Sequence, residues 1–214
     1  MRLYDYFRSS AAYRVRIALG LKGLACERQP VHLLRDGGEQ RAEAYARINP
    51  EKLLPALQDG PHTLSQSLAI LEYLEETHPE PPLLPAAPAD RAWVRAMAAQ
   101  VACDIHPIAN LRVMQYLERE IGATAEQRSQ WTAHWIGTGF TAIEARLRDD
   151  GRSGLCCFGD TPGLADCCLV PQVFNARRVG LPMDRFPTLV RIERHLTGLD
   201  AFRSASPALQ ADAE

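Results

Sequence analysis

The chain has 214 residues, 46% of them hydrophobic, and a formal charge of −2. That length suffices for one large domain or two modest ones with their own cores, so folding without staples is expected. The near-neutral balance gives no reason to expect nucleic acid or a membrane surface as a partner, and any cationic chemistry must be local. No basic start leads into an apolar leader, and no uninterrupted apolar run reaches transmembrane length, so a soluble, cytoplasmic protein is expected. Cys26 and Cys103 stand alone, while Cys156-Cys157 and Cys167-Cys168 are adjacent pairs with no C-x-x-C spacing. They read as small buried or half-buried thiols in a reducing compartment, and no metal is expected.

Taken in chain order, Arg2 to Phe7 is predicted as a strand that runs directly into Ser9-Ser10 and a helix carrying Val15, Ile17, Ala18, Leu19 and Leu21. Adjacent hydroxyls at a helix start, flanked by Arg8, Arg14 and Arg16, suit a thiolate, carboxylate or phosphate. A serine that only caps the helix fits the same pattern. A second strand is expected near Cys26 to His32, then a break at Arg35 to Gln40 and an Ala-rich piece from Arg41 to Ile48. Ala56-Leu57-Gln58 and Thr63-Leu64 flank a turn at Asp59-Gly60-Pro61-His62, which predicts a hairpin. Ser65-Gln66-Ser67 precedes Leu68, Ile70, Leu71, Tyr73 and Leu74, the spacing of an amphipathic helix with a serine cap. The result is a βαβ unit followed by ββα.

Pro79, Pro81, Pro82, Pro85 and Pro88 then mark a linker, because proline lacks the N–H donor and fixes φ. Beyond it the pattern is helical. Trp93, Val94, Met97, Ala98, Val101 and Ile105 recur at helix spacing, with Asp90 as the expected N-cap. Thr124 to Gln127 has capping-box form before Trp131, Trp135, Ile136, Phe140, Ile143 and Leu147. Gly163 to Asp166 opens another helix, and Leu189 to Leu196 a short last one. Pattern alone thus gives a small α/β domain joined to a larger all-helical one. The expected boundaries are 1–78, a linker at 79–89, and 90–214.

Ser9-Ser10-Ala11-Ala12-Tyr13-Arg14-Val15-Arg16-Ile17-Ala18-Leu19 resembles the S-S-C-x-x-R-V-R-I-A-L signature of the zeta-class glutathione transferases, the class of maleylacetoacetate and maleylpyruvate isomerases. Asn49 to Pro55 is similar to that class's N-P-x-x-x-V-P turn, and Gln66-Ser67 to its glutathione motif. Cys103 to Pro107 and Gly159 to Val173 extend the likeness over nearly the whole chain. Two positions depart from the pattern: Ala11 stands where the class keeps a cysteine, and Gly163 where a helix usually begins with Ser or Thr. Related maleylpyruvate isomerases also lack that cysteine, which tilts the expected substrate slightly their way.

The resemblance implies a thioredoxin-like N-terminal domain and an all-helical C-terminal domain, glutathione as cofactor, and a homodimer. It implies glutathione-dependent cis–trans isomerisation of maleylpyruvate or maleylacetoacetate to the fumaryl isomer. The alternatives are a general conjugating or dehalogenating transferase and a non-catalytic glutathione-binding module. Glutathione's thiol, with a typical pKa of about 8.5, needs help to ionise. Ser9 is the first choice for the helping hydroxyl and Ser10 the second, with Ala11 beside them. Pro55 would be the class's cis-proline, presenting the Leu54 backbone to the cysteinyl part. Gln66 and Ser67 would hold the γ-glutamyl carboxylate, and Gln40 and Lys52 the glycyl carboxylate, although both of the latter also suit a solvated loop. His106, Asn110 and Arg112 would face glutathione, the first two sharing a helix face at a spacing of four, with Asp104 reaching across a dimer. Arg8, Arg112 and Arg178 are the arginines expected to bind the dicarboxylate and stabilise the enolate, whereas Arg14, Arg16 and Arg177 suit ion pairs or solvent.

Overall fold

The computed structural model describes residues 1–214, which divide into two compact units: Met1–Leu83 with Thr197–Glu214, and Leu84–Leu196. In the first unit, β1 (Arg2–Asp5), α1 (Ser10–Leu21) and β2 (Glu27–Pro30) form a βαβ crossover, which makes β1 and β2 parallel. After the short α2 (Glu43–Ala46), β3 (Ala56–Asp59) and β4 (His62–Ser65) close a hairpin through Gly60, at φ 54°, and α3 (Ser67–Thr77) follows. The sheet order is β2-β1-β3-β4, with β3 antiparallel to β1 and to β4. Leu3 stands opposite Leu57 at its centre, both fully buried.

Helix α1 is buried from Ser10 through Leu19, so it is a core element and not a surface helix with one apolar stripe. Its polar side chains therefore need partners inside. Arg16 donates to Asp5 Oδ1 at 2.9 Å, to the Phe7 carbonyl at 2.9 Å and to the Ala205 carbonyl at 2.8 Å. Burial lowers its pKa to about 10, so the guanidinium stays charged at neutral pH. Lys22, past the end of α1, donates to Glu75 at 2.9 Å and to the carbonyls of His78 and Pro81 at 2.6 and 2.9 Å. A buried ammonium is tolerated there because all three of its donors are used.

The last stretch differs from the expected division. Residues 197–214 were expected within the helical domain, yet α10 (Asp200–Ser204) and the tail pack on α1. Phe202 is fully buried, and the Tyr13 hydroxyl donates to its carbonyl at 3.4 Å. Gly20 permits the approach, since a Cβ there would stand 3.2 Å from Ala201.

The second unit is all-helical: α4 (Pro88–Ala99), α5 (His106–Ile108), α6 (Leu111–Arg119), α7 (Ala125–Asp149), α8 (Leu164–Arg178) and most of α9 (Pro187–Thr197). Asp90 is not the N-cap of α4. Pro88 occupies the first helical position, where its fixed φ and missing N–H cost nothing, so Ala87 is the cap and Asp90 lies in the first turn. Thr124 and Gln127 form the expected capping box. At α8 the glycine cap is offset by Asp166, whose carboxylate accepts from Gly163 N at 2.9 Å and from Cys157 N at 2.8 Å. Glu144 of α7 likewise accepts from Thr188 N and Leu189 N at the start of α9. Phe140 and Phe186 meet edge to face at 5.6 Å in the core. Cys156, Cys157, Cys167 and Cys168 are buried there, and burial raises Cys156 to about 12 and Cys157 well above the ordinary thiol range. Cys156 and Cys157 therefore stay protonated at neutral pH. No helix is long and apolar enough to cross a membrane.

Candidate active site

In the first unit, β1 ends in a turn closed by Ser9 N donating to the Tyr6 carbonyl at 2.9 Å, which sets Ser9 at the mouth of α1. Ser9 has the extended backbone of an N-cap, and its Oγ accepts from Ala12 N at 3.2 Å. Accepting uses a lone pair and leaves the O–H proton for a second partner, so cap and anion donor are the same atom in two roles. Ser10 and Ala11 are buried at the helix start. Arg8 is exposed, with Nη2 donating to the Tyr6 hydroxyl at 3.0 Å and its guanidinium 5.0 Å from the Phe7 ring centroid. That stacking fixes a cation beside Ser9 while leaving it open to solvent.

The turn before β3 is held from below. The Tyr45 hydroxyl and Asn49 Nδ2 both donate to the Leu53 carbonyl, at 2.6 and 2.9 Å. Asn49 Oδ1 accepts from Glu51 N at 3.0 Å, closing the turn on its other side. Tyr45 packs edge to face on Tyr4, with Val31 and Ala56 in the same cluster and Leu54 against it. Leu54 thus leads into β3 through a cis bond to Pro55, as the resemblance implied.

Helix α3 begins differently from the expected serine cap. Its N-cap is Gln66, at φ 65°, which makes no side-chain cap and instead donates from Nε2 to Glu51 Oε2 at 2.7 Å. Ser65 Oγ donates to the other Glu51 oxygen at 3.0 Å. Ser67 is the first helical residue and is buried; its Oγ accepts from Arg14 Nη1 at 3.0 Å. Arginine has no acceptor atom, so the Ser67 proton must point to another partner. Arg14 is therefore not only a structural cation as expected: it orients a hydroxyl of the site. Arg16 and Arg177 do pair structurally, with Asp5 and Glu193. Lys52 is exposed at φ 56°. Gln40 is buried against Gly38 and is not a solvated loop residue; its Oε1 has no donor in the chain.

In the second unit, α4 passes into a π-helical stretch, Gln100–Ile105, carrying Cys103 and Asp104 on the surface. Ile105 is seated against α7, where a Cβ on Gly139 would come within 2.3 Å of it. His106 and Asn110 do not share one continuous helix face. Pro107 lies in the short α5, the chain leaves helical geometry at Ala109, and Asn110 caps α6 by accepting from Arg112 N at 3.2 Å. The two still meet, Asn110 Nδ2 lying 3.5 Å from His106 Nε2. Arg112 is exposed on the first turn of α6, and Arg178 is exposed at the last residue of α8. Sequence reasoning reached Asn49 and Glu51 only as members of the turn motif, and missed Tyr45 and the contact of Arg14 with Ser67. A buried-helix arginine flanked by Tyr13 and Val15 was the one signal available for the last.

Residues 3–82 match the family model of the glutathione S-transferase N-terminal domain, and residues 123–211 that of the glutathione S-transferase C-terminal domain. The maleylacetoacetate isomerase of Pseudomonas aeruginosa is 49% identical, over 99% of this chain and 98% of that protein. A holo structure of a bacterial zeta-class maleylpyruvate isomerase is 46% identical and superposes with a TM-score of 0.97, over 100% of both chains. A maleylacetoacetate isomerase of Methylobacterium extorquens AM1, solved with bound malonate and glutathione, is 40% identical with a TM-score of 0.96, again over 100% of both. The chain that carries the serine-capped α1, the Asn49 to Pro55 turn and the start of α3 matches such proteins end to end, and the protein belongs to the zeta-class glutathione transferase family.

Proposed function

We propose that the protein catalyses glutathione-dependent cis–trans isomerisation of maleylpyruvate or maleylacetoacetate to the fumaryl isomer. The observation that carries this reading is Ser9, whose oxygen caps α1 while its proton stays available beside the cationic Arg8. When bound, glutathione supplies a thiolate that adds to the cis double bond and leaves again after rotation about the resulting single bond.

The chain's residues fit such a cofactor. Ser9 would donate a hydrogen bond from its hydroxyl to the sulfur, and the α1 N-terminus would add positive potential, both of which favour the ionised thiol at neutral pH. Ser10 and Ala11 complete that helix start; the methyl of Ala11 adds no donor, which leaves activation to Ser9 and the helix. Leu54, aligned by Tyr45 and Asn49, offers its backbone to the cysteinyl segment, and Gln66 and Ser67 take the γ-glutamyl end. Gln40 and Lys52 take the glycyl carboxylate, and Asp104, His106 and Asn110 contribute from the helical unit. Arg8, Arg112 and Arg178 bind the two substrate carboxylates and stabilise the enolate that develops on addition. A site for neutral electrophiles has no need of several guanidiniums, and one relative was solved with both malonate, a dicarboxylate, and glutathione bound. The reading includes a cytoplasmic homodimer, supported by six free cysteines and by the family likeness.

The test is purified protein with each cis acid, with and without glutathione, following loss of the cis-enol absorbance. Turnover that requires glutathione and regenerates it is expected with one or both acids. No glutathione-dependent turnover with either removes the reading.

A further inference from the structure

The turn that carries Arg8 and Ser9 is held by more than its own backbone. Ser9 N closes it on the Tyr6 carbonyl at 2.9 Å, which uses neither polar group of Phe7, the second residue of the turn, and β1 has already ended at Asp5. Both groups find partners far along the chain. The Phe7 carbonyl accepts from Arg16 Nη2 at 2.9 Å, and the Phe7 N–H donates to Asp212 Oδ2 at 3.0 Å. We propose that Asp212 is a positioning residue for the reaction proposed above, and on that reading its carboxylate sets where Arg8 and Ser9 leave the turn.

The geometry follows from planar peptides. The Phe7 N–H belongs to the plane shared with Tyr6 and the Phe7 carbonyl to the plane shared with Arg8, so a bond to each fixes the rotation on both sides of Phe7. Arg8 follows at once, and Ser9 next. Charge explains why a carboxylate stands where any acceptor would satisfy one N–H, because Arg16 and Arg28 share the single carboxylate of Asp5. Burial lowers both guanidiniums to about 10, and the negative charge of Asp212 works against that drop at each. The segment around Asp212 is itself fastened. Gln210 Nε2 donates to the carbonyls of Ser204 and Ser206 at 2.9 and 2.7 Å, and Glu214 Oε1 stands 3.2 Å from both His32 Nε2 and Arg35 Nη2. His32 Nδ1 accepts from Leu34 N and Arg35 N, which leaves the ring proton on Nε2, facing Glu214. Asp212 therefore lies between two anchors.

The test compares Asp212→Ala and Asp212→Asn with the unsubstituted full chain, by residue-resolved amide hydrogen exchange without ligand and by kinetics and thiolate titration with glutathione. In Asp212→Ala the Ser9 amide should exchange about tenfold faster while the Leu57 amide in the sheet is unmoved. The isomerisation kcat/KM should fall by about tenfold, the scale of a small misplacement, and the thiolate band should move to higher pH. Asp212→Asn keeps an acceptor for Phe7 and should stay within about threefold of the unsubstituted protein on each count. Unchanged Ser9 exchange in Asp212→Ala would overturn the proposal, and so would a rise spread evenly over Ser9 and Leu57, which would make Asp212 a general support. An Asn variant as impaired as the Ala variant would put the effect on the charges of Arg16 and Arg28 instead of the Phe7 bond, and overturn it too. Absence of glutathione-dependent turnover in the unsubstituted protein would count against the isomerase reading alone, and Ser9 exchange would still decide the role of Asp212.

Discussion

Ser9 joins two demands in one oxygen. The helix needs an acceptor at its N-cap, the thiolate needs a donor, and a hydroxyl is both. Ser9→Ala should therefore lose on two readouts. The isomerisation kcat/KM should fall by about 10²-fold, the cost of removing one donor to a developing or held anion, and stability by about 1 kcal/mol, the usual cost of losing a serine cap. The ultraviolet thiolate band of the glutathione complex, titrated against pH, should move to higher pH. An unmoved band with reduced stability would leave Ser9 as a cap only. At this scale the serines were legible because capping and anion binding use the same residue types at the same place. The contacts of Glu51 and Arg14 were not, for a physical reason: Ser67 lies 53 residues from Arg14, and Gln66 15 residues from Glu51, so neither contact leaves a local pattern.

Among the elements, α8 shows how one side chain can stand in for a missing cap. Gly163 provides no hydroxyl, and Asp166 accepts from the backbone on both sides of the break, at Gly163 and at Cys157. Asp166→Ala strands one buried and one half-buried N–H group and should cost about 2–3 kcal/mol, read as a lower midpoint in urea denaturation. Burial raises the Asp166 pKa, so its charge is itself a cost. Asp166→Asn, keeping one acceptor without that charge, should therefore lose less than Asp166→Ala; the reverse order would show that charge and not acceptor count holds the helix start. Helix existence was legible here from spacing and the Gly-x-x-Asp signal. The π-helical stretch at Gln100–Ile105 was not, since it depends on Ile105 entering a space that Gly139, on another helix, leaves open.

For the molecule as a whole, the proline-rich segment was readable because proline excludes regular structure wherever it is dense. The return of the last residues to α1 was not. A short amphipathic segment such as Asp200–Ser204 shows that one side will be buried but not against which unit. Its weight is measurable: ending the chain at Leu196 removes the burial of Phe202 and the Ala205 acceptor of Arg16. The first unit should lose about 3–5 kcal/mol, the scale of deleting a core aromatic. Thermal melting should show it, and an unchanged midpoint would mean that the tail is not part of that unit's cooperative structure.

The same return has a consequence for synthesis on the ribosome. Residues 1–83 emerge before their partner residues 197–214, with the whole helical unit made in between. At about 5–20 residues per second the wait is on the order of ten seconds or so. Through that interval Tyr13 and Gly20 on α1 lack the segment that covers them in the finished protein. That face of α1 is thus completed only after the helical unit has been made, and nascent chains stalled before Phe202 would carry it as the surface for chaperones to meet.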